Sequence, residues 1–392
     1  MSETVLVTGG AGFIGSHLVD ALVAGGYKVR VIDCLEPQVH GDLRIDGRWP
    51  DYCNPEAEFI LGDVRDRHIL KHALDGVEVI FHQAAAVGVG QSQYDIERYV
   101  DINIRGTAVL LDLLANEPVI SAQLRKVIVA SSMSIYGEGS YACPVHGVVN
   151  PMLRTLEQLS ARKWDLHCPH PTEDTSSLGV ASTCQRMLTP VPTHESKPLL
   201  ATSIYAITKK CQEEMCLAVG RSYGIPTVAL RYFNVYGSRQ ALSNPYTGVA
   251  AIFSSRLMNR KRPVVFEDGL QSRDFVHVSD IVRANLLVMD RDEANFGVFN
   301  VGTGRGLTLL ELIAALSGRL NGSVSPDISQ KYRAGDIRHC VADIRRIRAL
   351  GYEPQIPFEE GADELAEWAA SQTPIDRFEL ASEELVKRGL AV

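Results

Sequence analysis

The stretch that most restricts how this chain can fold lies at its start. Thr4-Val-Leu-Val-Thr8 reads as a short buried strand that runs directly into Gly9-Gly-Ala-Gly-Phe-Ile-Gly15. Ser16 to Ala24 then carries helical periodicity and stops at Gly25-Gly26, a glycine C-cap. Within the loop, Gly10-x-Gly12-x-x-Gly15 satisfies the dinucleotide fingerprint, and Gly9 adds the overlapping G-x-x-G-x-x-G form. The early glycines allow a tight turn and close backbone approach to a pyrophosphate. Gly15 lets helix and strand pack closely, and the helix N-terminus supplies the complementary partial charge. A second strand, Lys28 to Ile32, ends in Asp33, where a carboxylate binds adenosine ribose hydroxyls and repels a 2′-phosphate. NAD is the cofactor this arrangement calls for.

From there the pattern alternates strand and helix, as an α/β doubly wound parallel sheet of the Rossmann type requires. Glu58–Leu61, Glu78–His82, Lys126–Ala130 and Thr227–Leu230 read as strands. Helical stretches lie near 68–74, through the region of Asn103 and Val109, and from Tyr205 to about Tyr223. Open α/β sheets bind ligands at strand C-termini, so Asp63, Gln83 and Ser132 should converge on one crevice. A net charge of -8 argues against partnership with nucleic acid or an acidic membrane surface. No apolar run reaches the length of a membrane span, and nothing resembling a signal peptide precedes the first strand. Eight scattered cysteines suit a reducing cytoplasm better than a disulfide framework.

In Ser203-Ile-Tyr-Ala-Ile-Thr-Lys209, Tyr205 and Lys209 fall one helical turn apart on one face. An ammonium there favours the phenolate, which would make Tyr205 a base for a sugar or alcohol hydroxyl. His82, at a strand end, is read as a packed histidine rather than a second catalyst.

The chain resembles the extended short-chain dehydrogenase/reductases of the nucleotide-sugar epimerase/dehydratase type. The likeness is carried, in order, by Thr8-Gly-Gly-Ala-Gly-Phe-Ile-Gly15, Gly62-Asp-Val-Arg-Asp66, His82-Gln-Ala-Ala85 and Ser131-Ser-Met-Ser-Ile-Tyr-Gly137. Tyr205-Ala-Ile-Thr-Lys209, Arg231-Tyr-Phe-Asn-Val-Tyr-Gly237, Arg273-Asp-Phe-Val-His-Val278 and Arg333-Ala-Gly-Asp336 complete it. The resemblance implies that Tyr205 is the acid/base, Lys209 holds the nicotinamide ribose and Ser132 bonds the reacting hydroxyl. It assigns cofactor contacts to Gly9, Gly12, Phe13, Ile14, Gly15, Asp33, Asp63, Val64, Gln83, Ala84, Ala85 and Tyr232. Asn103 would support that site. Ser134, Asn234, Val249, Phe266, Arg273, Arg333 and Asp336 would meet the nucleotide-diphosphate sugar, with arginines suited to bidentate phosphate contacts.

Related dehydratases and decarboxylases keep an acid just after the catalytic Ser or Thr. Here Met133 and Ser134 occupy those positions, and neither can protonate a leaving group. That favours 4-epimerisation through a transient 4-ketosugar. A nucleotide-sugar 4-ketoreductase and a non-catalytic NAD-binding protein stand as the alternatives. The position four beyond Asp336, which in the family limits the sugar pocket, is Cys340, a small side chain that would admit bulkier substituents. Pro37-Gln-Val-His-Gly41, Asn244-Pro-Tyr-Thr-Gly248 and Glu267-Asp-Gly-Leu-Gln-Ser-Arg273 resemble the dTDP-L-rhamnose 4-epimerase group, pointing to a dTDP-6-deoxyhexose; a UDP-hexose or uronate stays open.

The expected division is an NAD-binding domain over 1–232 and a smaller substrate-binding domain over 233–392, with part of 270–300 returning to the main sheet. Relatives pair as homodimers through the helices that carry Asn103 and Tyr205. Between Tyr136 and Tyr205 the chain is several times longer than such proteins need, an insertion at about 139–200 rich in Pro, Thr and Ser. Cys143, His146, Cys168 and Cys184 within it are candidate zinc ligands, and unconnected thiols in a flexible segment are the alternative. Its place before Tyr205 predicts a lid at the mouth of the sugar site.

Overall fold

A computed structural model describes residues 2–171, 183–320, 324–333 and 335–391. Seven parallel strands form its central sheet: β1 (Thr4–Thr8), β2 (Lys28–Asp33), β3 (Glu58–Leu61), β4 (Val79–His82), β5 (Lys126–Ser132), β6 (Thr227–Tyr232) and β7 (Val298–Val301). Their spatial order is β7-β6-β5-β4-β1-β2-β3, so the chain reverses direction across the sheet between β1 and β4. A crevice opens at that reversal, beyond the strand C-termini. Runs such as Val5-Leu-Val7 and Val127-Ile-Val129 are buried on both faces, which is why they are continuously apolar rather than alternating.

Helix α1 (Phe13–Ala24) starts three residues before the periodicity alone suggests, because the extended Gly12 serves as its N-cap. Two glycines in the turn are sterically required. Gly9 has φ +70°, and a Cβ on it would lie 2.9 Å from Ala84 at the end of β4. A Cβ on Gly15 would run into the Gly9 carbonyl. The long helical region around Asn103 is broken by a π-turn over Val100–Arg105 before α2 (Gly106–Asn116). Wide turns of that kind cluster at functional positions, and this one turns Asn103 inward. The helix α3 (Ile204–Tyr223) starts at Ser203, whose hydroxyl accepts the Ala206 N–H at 3.1 Å, and ends at the left-handed Gly224.

After Tyr232 the chain builds a second core, in which helices Val249–Met258, Leu309–Ser317 and Phe358–Ala370 enclose Phe253, Leu312, Ile313 and Leu365. It does not stay apart. Helix α4 (Val278–Met289) packs on α1, and β7 joins the main sheet beside β6, so Val276, Ile281 and Phe299 belong to the first core.

The described residues of the insertion, which leave out 172–182, form an ordered unit that does not reach the main cavity as a lid would. Ser140–Cys143, Gly147–Val149 and Thr189–Val191 form a three-stranded antiparallel sheet with a small core of its own. It is stitched behind the segment that carries His339 and Cys340. Gly139 N donates to His339 O at 2.9 Å, Thr193 N to Val341 O at 2.7 Å and Asp343 N to Thr193 O at 3.1 Å. These backbone bonds hold it against the outer side of the C-terminal region. Among its described residues, none between 139 and 200 lines the main cavity.

Candidate active site

A cavity of about 670 Å³ opens at the sheet reversal. It brings together Gly9, Gly12, Phe13, Ile14, Gly15, Asp33, Asp63, Val64, Gln83, Ala84 and Ala85 from the β1, β2, β3 and β4 ends. Ser132, Ser134, Tyr205, Lys209 and Tyr232 line it too, as do Asn234, Val249, Phe266, Arg273, Arg333 and Asp336.

Local geometry suits an NAD molecule along the first group. No side chain caps α1, so its leading N–H groups are available to a phosphate. Asp33 is oriented by the N–H groups of Ala11 (3.0 Å) and Leu35 (2.9 Å), while burial pushes its pKa up. Burial also pushes the Asp63 carboxyl up, but the bonds from Arg65 Nε and the Arg65 N–H win and hold it below the usual carboxylate range. Asn103 sits behind the wall rather than in it. Its amide clasps Ala86 from both sides, accepting the Ala86 N–H at 2.7 Å and donating to the Ala86 carbonyl at 3.0 Å.

At the candidate reacting centre, Ser132 Oγ accepts from the Ser134 N–H (3.2 Å) and the Ser134 hydroxyl (2.9 Å), which leaves its own proton to donate elsewhere. It faces Tyr205. Burial raises the Tyr205 phenol above its ordinary value, and Ser132 pulls it back down. The Lys209 ammonium donates to Gln212 Oε1 at 2.7 Å, and burial lowers its pKa to about 8. Gln212 in turn donates to Thr107 Oγ1 at 2.7 Å, so Lys209 is held from the far side of its helix turn. His82 is packed, as expected: Thr8 and Thr107 hold its two ring nitrogens, and burial lowers its pKa to about 3.

On the remaining wall, Arg273 is fixed by the carbonyls of Ser272 (2.8 Å), Ile337 (2.7 Å) and Arg338 (3.0 Å). Arg333 donates to Asp336 at 2.9 Å and stacks 4.9 Å over the Phe266 ring. Asn234 Oδ1 is buried without a partner, an orphaned acceptor at the cavity wall. Such a group costs free energy unless something fills the site. Cys340 departs from expectation. It is 1% exposed, packed 3.7 Å from Thr193 Oγ1 of the insertion, and does not line the cavity. The insertion has covered the position that the family resemblance assigned to the sugar pocket.

Sequence reasoning missed other wall residues. Asn244 and Tyr246, within the Asn244–Gly248 phrase, meet Gln38 (3.1 Å) and Tyr94 (2.5 Å) across the molecule. Phe378 and Leu385, on the helix Phe378–Lys387, reach the cavity from the chain's far end, and no local signal marks them. Cys143, His146, Cys168 and Cys184 converge away from the cavity, with all four ligand atoms within 4.8 Å of one another.

Known proteins share this architecture. The NAD dependent epimerase/dehydratase family matches residues 5–157 and 175–302. A dTDP-L-rhamnose 4-epimerase of Burkholderia thailandensis is 32% identical over 373 residues, covering 94% of this chain and 96% of its own length. A UDP-N-acetylglucosamine 4-epimerase from Methanobrevibacter ruminantium, solved with UDP-N-acetylmuramic acid, has a TM-score of 0.72 at 31% identity, covering 95% of this chain and all of its own. A UDP-glucose 4-epimerase of Thermus thermophilus, solved with NAD, has a TM-score of 0.69 at 26% identity over 94% of this chain and all of its own. With the family match over most of its length and the fold in agreement, the chain belongs to the NAD dependent epimerase/dehydratase family.

Proposed function

We propose that the protein is an NAD-dependent nucleotide-sugar 4-epimerase. One observation carries this reading: Tyr205 and Ser132 face each other in a cavity continuous with the glycine loop, and no carboxylate follows Ser132. Tyr205 takes the proton of the sugar 4-hydroxyl, and Ser132 donates to the same oxygen to hold it in line. When bound, NAD accepts the C4 hydride and later returns it. Lys209, at the end of the Gln212–Thr107 chain, would hold the nicotinamide ribose. Arg273, Arg333 and Asn234 grip the diphosphate while the 4-ketosugar turns to present its other face. Tyr205 then gives its proton back. With no acid beside Ser132, elimination has no proton donor at that point.

A dTDP-6-deoxyhexose is the favoured substrate, in keeping with the Burkholderia thailandensis relative, with UDP-hexoses and uronates as the next candidates. The cytoplasm is the proposed setting, supported by eight cysteines, none of them joined in a disulfide. Incubation with UDP-, dTDP- and GDP-sugars, read by NMR for the C4 epimer, tests the reading. Tyr205→Phe should lose turnover by about a thousandfold or more while still binding NAD. If no sugar in the panel is epimerised and NAD(P)H is instead steadily consumed with a 4-ketosugar, the protein is a ketoreductase.

A further inference from the structure

Cys143 and His146 share one hairpin turn while Cys168 and Cys184 come from two other stretches of the insertion, yet the four side chains meet at one point. Cys143 Sγ is 3.5 Å from His146 Nδ1 and 3.9 Å from Cys184 Sγ, and Cys168 Sγ is 3.3 Å from the same ring nitrogen. A tetrahedral zinc ion has Zn–S bonds of about 2.3 Å and a Zn–N bond of about 2.0 Å, which sets S···S edges of about 3.8 Å and S···N edges of about 3.5 Å. These three separations agree with those edges to a few tenths of an ångström, and the remaining ones lie within 4.8 Å.

The small sheet has little apolar core among its described residues. Its core consists of Tyr141, Val149, Leu166 and Leu188 around the sulfurs themselves, and modules this small usually need a metal or cross-link.

We propose that Cys143, His146, Cys168 and Cys184 bind one zinc ion as a closed structural site, and that this metal fixes the insertion as a brace behind the sugar side of the cavity. Three thiolates and an imidazole select zinc over harder cations, and four protein ligands leave no open position for catalysis. The brace runs through Arg154 of the insertion. Its two terminal nitrogens each sit 2.8 Å from a Glu267 carboxylate oxygen, and one also donates to the Asp336 carbonyl at 3.0 Å. Glu267 and Asp336 both line the cavity. Glu138, where the insertion begins, accepts the backbone N–H groups of Arg338 and His339 at 2.8–3.0 Å. This second half of the proposal rests on the reading of the cavity as a sugar site.

The test begins with the full-length protein purified without added metal or chelator. One zinc per chain is expected. Cobalt(II) exchanged into the site should give the d–d and thiolate charge-transfer absorption of a sulfur-rich tetrahedral centre. Cys184→Ser, which alters one of the less enclosed ligands, should speed zinc loss to a chromogenic chelator by about tenfold or more, whereas Cys53→Ser should not. Absence of zinc from the intact protein, or zinc content and release unchanged in both Cys168→Ser and Cys184→Ser, overturns the site. For the brace, stripping zinc should raise KM for the nucleotide sugar several-fold with bound NAD retained. An unchanged KM in zinc-free protein overturns that part. Zinc content decides the site whichever sugar the enzyme turns over.

Discussion

Tyr205 and Lys209 show how little of a side chain's working state follows from its spacing. Their helix and their shared face were legible, because helical period is a local property. The direction of the Lys209 ammonium was not, since it is set by Gln212 and Thr107, brought in by tertiary packing. Ser132 is therefore the group that lowers the Tyr205 phenol in this structure, against burial, which raises it. Removing Ser132 leaves the phenolate less stabilised, so its pKa rises. Ser132→Ala should shift the alkaline-rising limb of the kcat/KM profile to higher pH as well as lowering its plateau by about a hundredfold. A second pH effect concerns stability. Burial holds His82 neutral down to about 3, and burial with the nearby Arg338 does the same for His339, both from an ordinary 6.5. The unfolded chain takes up those protons first, so their contribution is full above pH 6.5 and drains as pH falls toward 3. Each costs about 1.4 kcal/mol per pH unit in that window. Urea midpoints measured from pH 7 to 5 should fall accordingly, and less steeply in a His339→Gln protein.

The elements that carry the glycine loop were the most readable part of the chain. A buried apolar strand, a forced turn and a helix start are dictated by neighbours in sequence, and β1, β2 and α1 lie where periodicity put them to within a few residues. Gly15→Ala should destabilise by about 1–3 kcal/mol and release NAD, because its Cβ meets the Gly9 carbonyl and either the helix or the phosphate loop must shift. Thermal unfolding and cofactor content after desalting would measure both. The insertion was readable as an excess of chain and as a set of candidate ligands, but not as a brace. Its location depends on long-range backbone bonds such as Thr193 to Val341, for which the sequence carries no periodic signal. The same bonds hide Cys340, so the sugar pocket's size must be set by other residues. Phe266, at the cavity wall beneath Arg333, is one that the structure offers.

At the scale of the whole molecule, the outward faces of the Asn103 and Tyr205 segments leave Val100 and Ile207 about 40% exposed, at 40% and 43%. Those faces fit a homodimer built from paired helices, with burial of apolar surface as its driving force. Ile207→Lys should convert a dimer to a monomer in light scattering while leaving the far-UV spectrum intact; a wild-type protein that is already monomeric at micromolar concentration removes the expectation. The seventh strand has a different consequence. β6 ends at Tyr232, but the strand that covers its outer edge, Val298–Val301, is made only after the whole first stretch of the C-terminal core. During synthesis the nascent sheet therefore waits with an open edge, able to pair with the wrong partner. Completion of the nucleotide-binding half is tied to the arrival of the other half, and a ribosome pausing between Tyr232 and Val298 would hold the chain at its most aggregation-prone point.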